Sequence, residues 1–101
     1  MARILVLYNP PANPAAFDKY YHEIHVPLAK RIPKLRSYVV STAPPTLLAG
    51  SPIHLVADLT FDSMAEFNAA LASPEGQATA ADVANFADAG AAILIFEEAA
   101  V

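Results

Sequence analysis

Two segments at opposite ends of the chain are apolar at nearly every position. They cover residues 3–9 and 91–96, and two prolines at positions 10 and 11 follow the first. A strand with one face in water alternates apolar and polar residues, whereas a strand covered on both faces is a continuous apolar run. The pattern therefore predicts two strands whose faces both need apolar neighbours.

Two further segments alternate with the two-residue period of a strand. Tyr38 and Val40 share one face of residues 35–42, and the apolar positions of residues 53–61 share one face as well. Successive side chains on a strand point to opposite sides, so each segment predicts a strand with one apolar face. The second is expected to return antiparallel beside the first.

The first helix is predicted over residues 14–25. Asn13 supplies an N-cap, Pro14 takes the first helical position, and apolar residues then recur at helical spacing. Pro27 lacks a backbone donor and disfavours helical geometry at the residue before it. We expect the helix to break or kink there, before residues 28–31 form a further turn.

Two more helices follow the second alternating segment. Ser63 and Glu66 form a capping box, which predicts a helix over residues 64–72. A serine followed by proline then starts another helix over residues 74–87, and a glycine at position 90 closes it.

The order strand, helix, strand, strand, helix pair, strand predicts an α+β fold. It is the ferredoxin-like βαββαβ arrangement, a four-stranded antiparallel sheet with helices on one face. With 101 residues and no linker, a single domain over 1–101 is expected. Because helices cover only one face, we expect a homodimer through the sheet faces. The alternative is that abundant alanine merely inflates the apolar count.

Charge and composition limit the classes of partner that the chain is expected to bind. The net charge is −4 with only six Lys and Arg residues, which argues against nucleic acid and anionic lipid. No apolar run reaches membrane-span length, so we expect a cytoplasmic protein and no membrane partner. Without cysteine or a glycine-rich phosphate loop, no cofactor is expected. A small hydrophobic ligand fits best.

His25 is the most informative candidate for chemistry. Its predicted place at the carbonyl end of the first helix favours the protonated form and holds its pKa near neutrality. A histidine there can serve as general acid or base, with Asp58 or Asp82 as candidate partner. The alternative is that His25 only caps the helix or fills space.

The tyrosines and a possible metal trio complete the candidates. Tyr38 lies on a predicted strand, whose rigidity suits orientation of a ligand by its hydroxyl. Asp18, His22 and His25 have a spacing that shares one helical face, so a metal site is one hypothesis. The favoured interpretation has no metal: Asp18 and His22 form an exposed pair, and His25 lies at the boundary.

The chain resembles the EthD family in two motifs. FDKYYHEIHVPLAK at residues 17–30, followed by Pro33, Leu35 and Tyr38, is similar to the first, and SPEGQ at 73–77 with DVANFAD at 82–88 matches the second. The resemblance implies a dimeric α+β barrel with one cleft per protomer. Similar folds include muconolactone-type isomerases, polyketide-tailoring enzymes and cofactor-free monooxygenases. Lys34 stands where the family usually has glycine, which is expected to alter the turn and leave the site intact.

The resemblance also implies the site residues. The candidate catalytic residues are His25 and Tyr38, and the candidate substrate-binding residues are Tyr21, Asp82, Asn85 and Phe86. We expect a cofactor-independent enzyme of isomerase, lyase or monooxygenase type in a catabolic pathway, with His25 moving a proton and Tyr38 binding a developing oxyanion. The alternatives are a module that binds or delivers a small ligand, and a haem-associated protein with a histidine as axial ligand.

Overall fold

A computed structural model describes the whole chain, residues 1–101. The strands are β1 (Ala2–Tyr8), β2 (Ser37–Val40), β3 (Leu55–Phe61) and β4 (Ala91–Glu97). The helices are α1 (Pro14–Tyr20), α2 (Val26–Ala29), α3 (Met64–Ala72) and α4 (Pro74–Phe86), and a π turn (Tyr21–His25) joins α1 to α2. No helix is both long enough and apolar enough to cross a membrane.

The four strands form one antiparallel sheet in the order β2-β3-β1-β4. In the centre of the sheet Val6 of β1 lies between Ala57 of β3 and Ile93 of β4. The predicted ferredoxin-like βαββαβ arrangement is confirmed. β2 is shorter than predicted because its pairing with β3 covers only Ser37–Val40, and β3 begins at Leu55, where its pairing with Tyr8 of β1 begins.

The predicted break at Pro27 is wrong because helical backbone continues through it, and the further turn expected after it is present as α2. The Val26 amide donates to the Tyr21 carbonyl, five residues back, and Val26 keeps helical dihedral angles of −57° and −47°. Such a wide turn moves the carbonyl that the ring of Pro27 would otherwise meet. Helical backbone therefore continues from residue 14 to residue 29, and His25 lies inside it instead of at its carbonyl end.

The helix pair α3 and α4 meets at a junction that requires glycine. Ser73 ends α3, and its hydroxyl accepts the Gly76 amide at 3.0 Å to cap α4. A Cβ atom at Gly76 would lie 2.1 Å from the carbonyl oxygen of Ala70. The absence of a side chain thus lets α4 start directly against α3.

We call the helix-covered side of the sheet the inner face. The strand side chains on it are Ala2, Ile4, Val6, Tyr8, Tyr38, Val40, Leu55, Ala57, Leu59, Phe61, Ile93 and Ile95. The predicted apolar face of β3 is confirmed, because its four inner residues are buried. Together with aromatic rings from the helices, the inner face forms the core.

The opposite side of the sheet, the outer face, has no helix over it. Its apolar side chains are Leu5, Leu7, Val39, Val56, Ala92, Leu94 and Phe96, and an ion pair between Arg3 and Asp58 at 2.6 Å crosses it. β4 departs from the expectation of a strand covered on both faces. As an edge strand it exposes Leu94 (47%) on the outer face and Ile93 (56%) on the inner face.

Candidate functional site

A chamber of about 280 Å³ lies between the inner face and the helices. Sixteen of its nineteen lining residues are hydrophobic, and none is Lys, Arg, Asp or Glu. Its exposed lining residues are Leu71, Ala80, Ile93 and Ile95, which places its open side between β4 and the helices α3 and α4. An apolar cavity with a few polar groups is the usual form of a small-molecule site, and this volume is at the lower end of the range.

His25 enters this chamber from the π turn. Its side chain is 5% exposed, and its ring lies 4.7 Å from the ring of Phe86 and 5.3 Å from that of Tyr21, measured between centroids. Nδ1 lies 2.9 Å from Oδ2 of Asp82. The hydrogen bond fixes the ring through one nitrogen and leaves Nε2 for a molecule in the chamber.

Asp82, the hydrogen-bond partner of His25, is held as a carboxylate. Its Oδ1 accepts the Tyr20 hydroxyl at 2.6 Å and the Asn85 amide at 3.0 Å. Burial opposes ionisation, but the hydrogen bonds from Tyr20, Asn85 and His25 outweigh it and lower the pKa of Asp82. A carboxylate at this position accepts a hydrogen bond from Nδ1, so Nδ1 carries the ring proton.

The direction of the His25 pKa differs from the sequence-based expectation. Burial lowers the pKa of His25 below its usual 6.5, and the opposing effect of Asp82 is smaller. The helix-end argument fails because helical backbone continues through Pro27 to Ala29, so His25 does not lie at the end of the helix. At neutral pH the ring is uncharged, and Nε2 carries the lone pair that a general base needs.

Three phenols line the same chamber. The hydroxyls of Tyr21 and Tyr38 lie 2.5 Å apart, and whichever one donates, a single O–H proton is left for another acceptor. Tyr8 is 1% exposed, and its hydroxyl has no hydrogen-bond partner in the chain. Burial raises the pKa of all three, so each is a neutral donor at pH 7.

The residues predicted from the sequence divide into two groups. Tyr21, His25 and Tyr38 line the chamber, so the imidazole and the phenol of β2 do face one space. Asp82, Asn85 and Phe86 do not line it and lie behind the imidazole. Of the two candidate partners for His25, Asp82 makes the contact, whereas Asp58 lies on the outer face.

Tyr8 was not among the predicted site residues. The sequence contained a signal for it, since Tyr8 is four residues from Ile4 and two from Val6, on the same side of β1. What the sequence could not show is that its hydroxyl ends in a cavity and not against a partner. Tyr8 is the one residue with a polar group among the β1 side chains on the inner face, and that pattern is visible in the sequence.

The metal hypothesis finds no support in the geometry. Asp18 pairs with His54 at 2.7 Å, His22 is exposed, and His25 points into the chamber. No three His, Asp or Glu side chains gather closely enough to hold a metal ion. The π turn is the reason, because its wider winding removes the shared face that α-helical spacing would give these residues.

Comparisons with known proteins agree with this architecture. Residues 9–90 match the EthD family, described as the EthD domain. An uncharacterised 11.0 kDa protein from the thcB-thcC intergenic region of Rhodococcus erythropolis is 45% identical over 103 residues, covering 100% of this chain and 98% of that protein. An EthD family protein of Bacillus halodurans C-125 has a crystal structure with TM-score 0.88 and 29% identity, covering 98% and 99% of the two chains.

More distant structures share the fold. A dimeric ferredoxin-like protein of unknown function from Thermobifida fusca has TM-score 0.69 and 18% identity, covering 94% of this chain and 88% of that one. SnoaB, a cofactor-independent oxygenase from Streptomyces nogalater, has TM-score 0.64 and 14% identity, covering 99% and 94%.

Proposed function

Because the chain belongs to the EthD family, and because a histidine–aspartate pair opens into its apolar chamber, we propose a cofactor-independent enzyme that moves a proton on a small hydrophobic molecule. The observation that carries this proposal is the orientation of His25, which is bonded through Nδ1 and presents Nε2 to a space without charged side chains. SnoaB offers a precedent for chemistry without a cofactor on this fold.

The proton transfer has a base and an acceptor for charge. Nε2 of His25 takes a proton from carbon, and the electron pair left behind moves towards an oxygen of the substrate. The free O–H of the Tyr21–Tyr38 pair donates to that oxygen. A positioned base contributes about 10² to 10⁴ in rate, and a preorganised donor to a developing oxyanion about 10² to 10³. Isomerisation, elimination and cofactor-free oxygenation of a carbon acid can each begin with this step.

Asp82 and its neighbours are positioning residues in this scheme. The carboxylate holds the tautomer of His25 and stabilises the imidazolium that forms, as the acid of a catalytic triad does. Tyr20 and Asn85 hold the carboxylate by hydrogen bonds, and the ring of Phe86 packs against the imidazole. We therefore assign Asp82, Asn85 and Phe86 to support of the base, and Tyr21 and Tyr38 to contact with substrate.

A carbon acid that needs only a base in an apolar cavity tests the proposal. With 5-nitrobenzisoxazole the base removes the ring C–H proton, the electron pair forms the nitrile, and the N–O bond breaks, which opens the ring to a coloured cyanonitrophenolate. We expect saturable product formation by the wild-type chain. His25→Ala is expected to lose at least about 100-fold in kcat/KM.

The matched control is His22→Ala, since His22 lies on the same π turn and is exposed to solvent. It is expected to keep the wild-type rate. Equal rates for His25→Ala and the wild type would remove His25 from the mechanism. Saturable binding of the compound without any product would favour the second candidate, a module that binds or delivers an apolar molecule in the same chamber.

The haem-associated alternative fits the chamber poorly. A volume of about 280 Å³ suits a molecule of one or two rings and not a planar macrocycle of four pyrroles. The cavity walls are also formed by strands β1 and β3 and by helix side chains of the core, which would have to separate to admit such a plane.

The proposal includes assembly as a homodimer through the outer face. The apolar side chains of that face have no cover within one chain, and a second copy of the same sheet is an apolar partner of matching shape. The dimeric protein of Thermobifida fusca supports the idea through its shared fold. A cytoplasmic location and a catabolic pathway stay predictions.

A further inference from the structure

Tyr8 carries a donor that nothing inside the chain uses. Its ring is fixed on the central strand β1 by edge contacts with Phe17 and Tyr21, at 5.4 and 5.6 Å between centroids. The side chain is 1% exposed, it lines the chamber, and its hydroxyl has no hydrogen-bond partner. Buried hydroxyls are normally hydrogen-bonded, so an unpartnered one that faces a cavity points to a ligand.

We infer that Tyr8 is the anchor of the chamber and that its hydroxyl donates to the carbonyl oxygen of an uncharged, otherwise apolar ligand with one or two rings. This inference rests on the proposed function, whose chamber it uses, and gives that chamber a substrate class. The ring contacts leave the phenol little freedom to turn away, so the position of the donor is set before the ligand arrives.

The lining of the chamber selects against charged ligands. No Lys or Arg side chain is present to pair with an anion, and no Asp or Glu side chain is present to pair with a cation. Moving an unpaired charge from water into an apolar space is strongly unfavourable, whereas a neutral carbonyl loses little if it gains a donor. A ketone, lactone or quinone therefore fits, and a carboxylic acid or amine does not.

Tyr8 and Tyr38 have different roles in binding the ligand. Tyr38 shares its hydroxyl with Tyr21, so together the two phenols offer one proton to a ligand. Tyr8 offers a second donor from the central strand. Two donors on one carbonyl oxygen would hold the adjacent carbon in a fixed place relative to Nε2 of His25, which makes Tyr8 a positioning residue for the proton transfer.

A pair of probes of equal shape tests the anchor. 2-Acetylnaphthalene has the carbonyl, and 2-isopropylnaphthalene has the same outline without it. Fluorescence titration of both gives the ratio of their Kd values for the wild type and for Tyr8→Phe. We expect the change to weaken the ketone about five-fold to ten-fold relative to the hydrocarbon, the effect of one neutral hydrogen bond.

Thr79→Val is the matched control, because Thr79 also lines the chamber but its hydroxyl already donates to the Glu75 carbonyl at 2.9 Å. Its probe ratio is expected to equal that of the wild type. Tyr8→Phe is also expected to melt no lower than the wild type, since the lost hydroxyl had no partner. A clear drop in its melting temperature would show a structural bond and overturn the inference.

The remaining outcomes separate this inference from the proposed function. If both probes bind the wild type and Tyr8→Phe leaves their ratio unchanged, the anchor is wrong and the chamber still stands as a site. If neither probe binds the wild type, the chamber is not a ligand site and both proposals fail. 2-Naphthoate, the charged member of the series, is expected to bind at least ten-fold more weakly than the ketone, and tighter binding would refute the selection for neutral ligands.

Discussion

The inner and outer faces of the sheet are built from the same strands and use their polar groups in opposite ways. On the inner face, His25 and the three phenols meet in an apolar chamber, and Asp82 behind them has every oxygen hydrogen-bonded. On the outer face, the Arg3–Asp58 pair lies among aliphatic side chains, and Nε of Arg3 and Oδ1 of Asp58 are buried without partners.

The difference shows that apolar surface alone does not identify a site. Both faces have the aliphatic area that could hold an organic molecule. Only the inner face combines it with a cavity, a neutral imidazole and a phenol hydroxyl that faces that cavity without a partner. The outer face has no helix over it, and an open apolar surface suits another protein surface better than a small molecule.

The largest expected effect comes from a charge on the outer face. Leu94 is 47% exposed within one chain, so Leu94→Glu leaves the protomer folded but places a carboxylate in the proposed dimer interface. We expect the dimer to dissociate at least about 100-fold more readily, measured by sedimentation equilibrium. Leu48→Glu, at a fully exposed loop position, is the control and is expected to keep the mass of the wild type.

A mass of one chain for the wild type at micromolar concentration would refute the dimer directly. An unchanged dimer in Leu94→Glu would place the interface on some other surface. Either result would remove the assigned role of the outer face and leave the description of the inner face as it is.

The buried carboxylate of Asp82 and the partly buried one of Asp58 give the next largest contrast. Asp82→Ala removes the hydrogen-bond acceptor of the Tyr20 hydroxyl, the Asn85 amide and Nδ1 of His25. We therefore expect the free energy of unfolding to fall by about 3 kcal/mol. Asp58→Ala breaks a pair whose arginine is 35% exposed and has a second carboxylate in Glu98, and is expected to lose less than about 1 kcal/mol.

Denaturant unfolding of both variants in the Leu94→Glu background makes the comparison on single protomers. Equal losses for the two variants would contradict the view that the inner network is the one in which each polar group depends on the others.

The pH dependence of stability gives a smaller effect on the inner face. Burial lowers the pKa of His25, so the unfolded chain binds more protons than the folded chain as the pH falls below about 6.5. The pKa of Asp82 is also lowered, which adds a further loss below its usual 3.8. The free energy of unfolding is therefore expected to fall with acid, first from about pH 6.5.

Histidine NMR titration identifies the group responsible. The His25 resonance is expected to titrate below pH 6.5 in the wild type. It should shift to still lower pH in Asp82→Asn, because the carboxylate that favours the charged ring is gone. An His25 pKa above 6.5 in the wild type would mean that the Asp82 carboxylate outweighs burial.

The smallest effect lies in a turn that touches neither face. Lys34 has a φ of 67°, in the left-handed region that glycine adopts without strain. Lys34→Gly is expected to raise the free energy of unfolding by up to about 1 kcal/mol. It is expected to leave the oligomeric state and the affinities for the naphthalene probes unchanged. A destabilised Lys34→Gly variant would show that the lysine side chain repays the strain through contacts of its own.

Sequence patterns predicted the architecture because each element had a local cause. The two-residue period gave the buried face of β3, and the hydroxyl caps at Ser63 and Ser73 gave the starts of α3 and α4. Lys34 was expected to alter its turn, because the resembling family usually has glycine there. Lys34 has a positive φ of 67°, a conformation that glycine adopts readily.

What the sequence did not show depends on distances between segments. Asp58 and Asp82 were equal candidates for His25 until the fold brought α4 against the π turn. The direction of the His25 pKa was wrong because it rested on a helix end that a wide turn replaced. The free hydroxyl of Tyr8 depends on a cavity, which is a property of how side chains fail to fill space and leaves no local pattern.

A crystal of the wild-type chain soaked with 2-acetylnaphthalene tests the contrast between the two faces most directly. The rings are expected in the chamber, with the carbonyl oxygen within hydrogen-bond distance of the Tyr8 hydroxyl and the methyl carbon facing Nε2 of His25. Density for the probe on the outer face, with the chamber closed by side chains and Nε2 bonded to the protein, would contradict the proposed site.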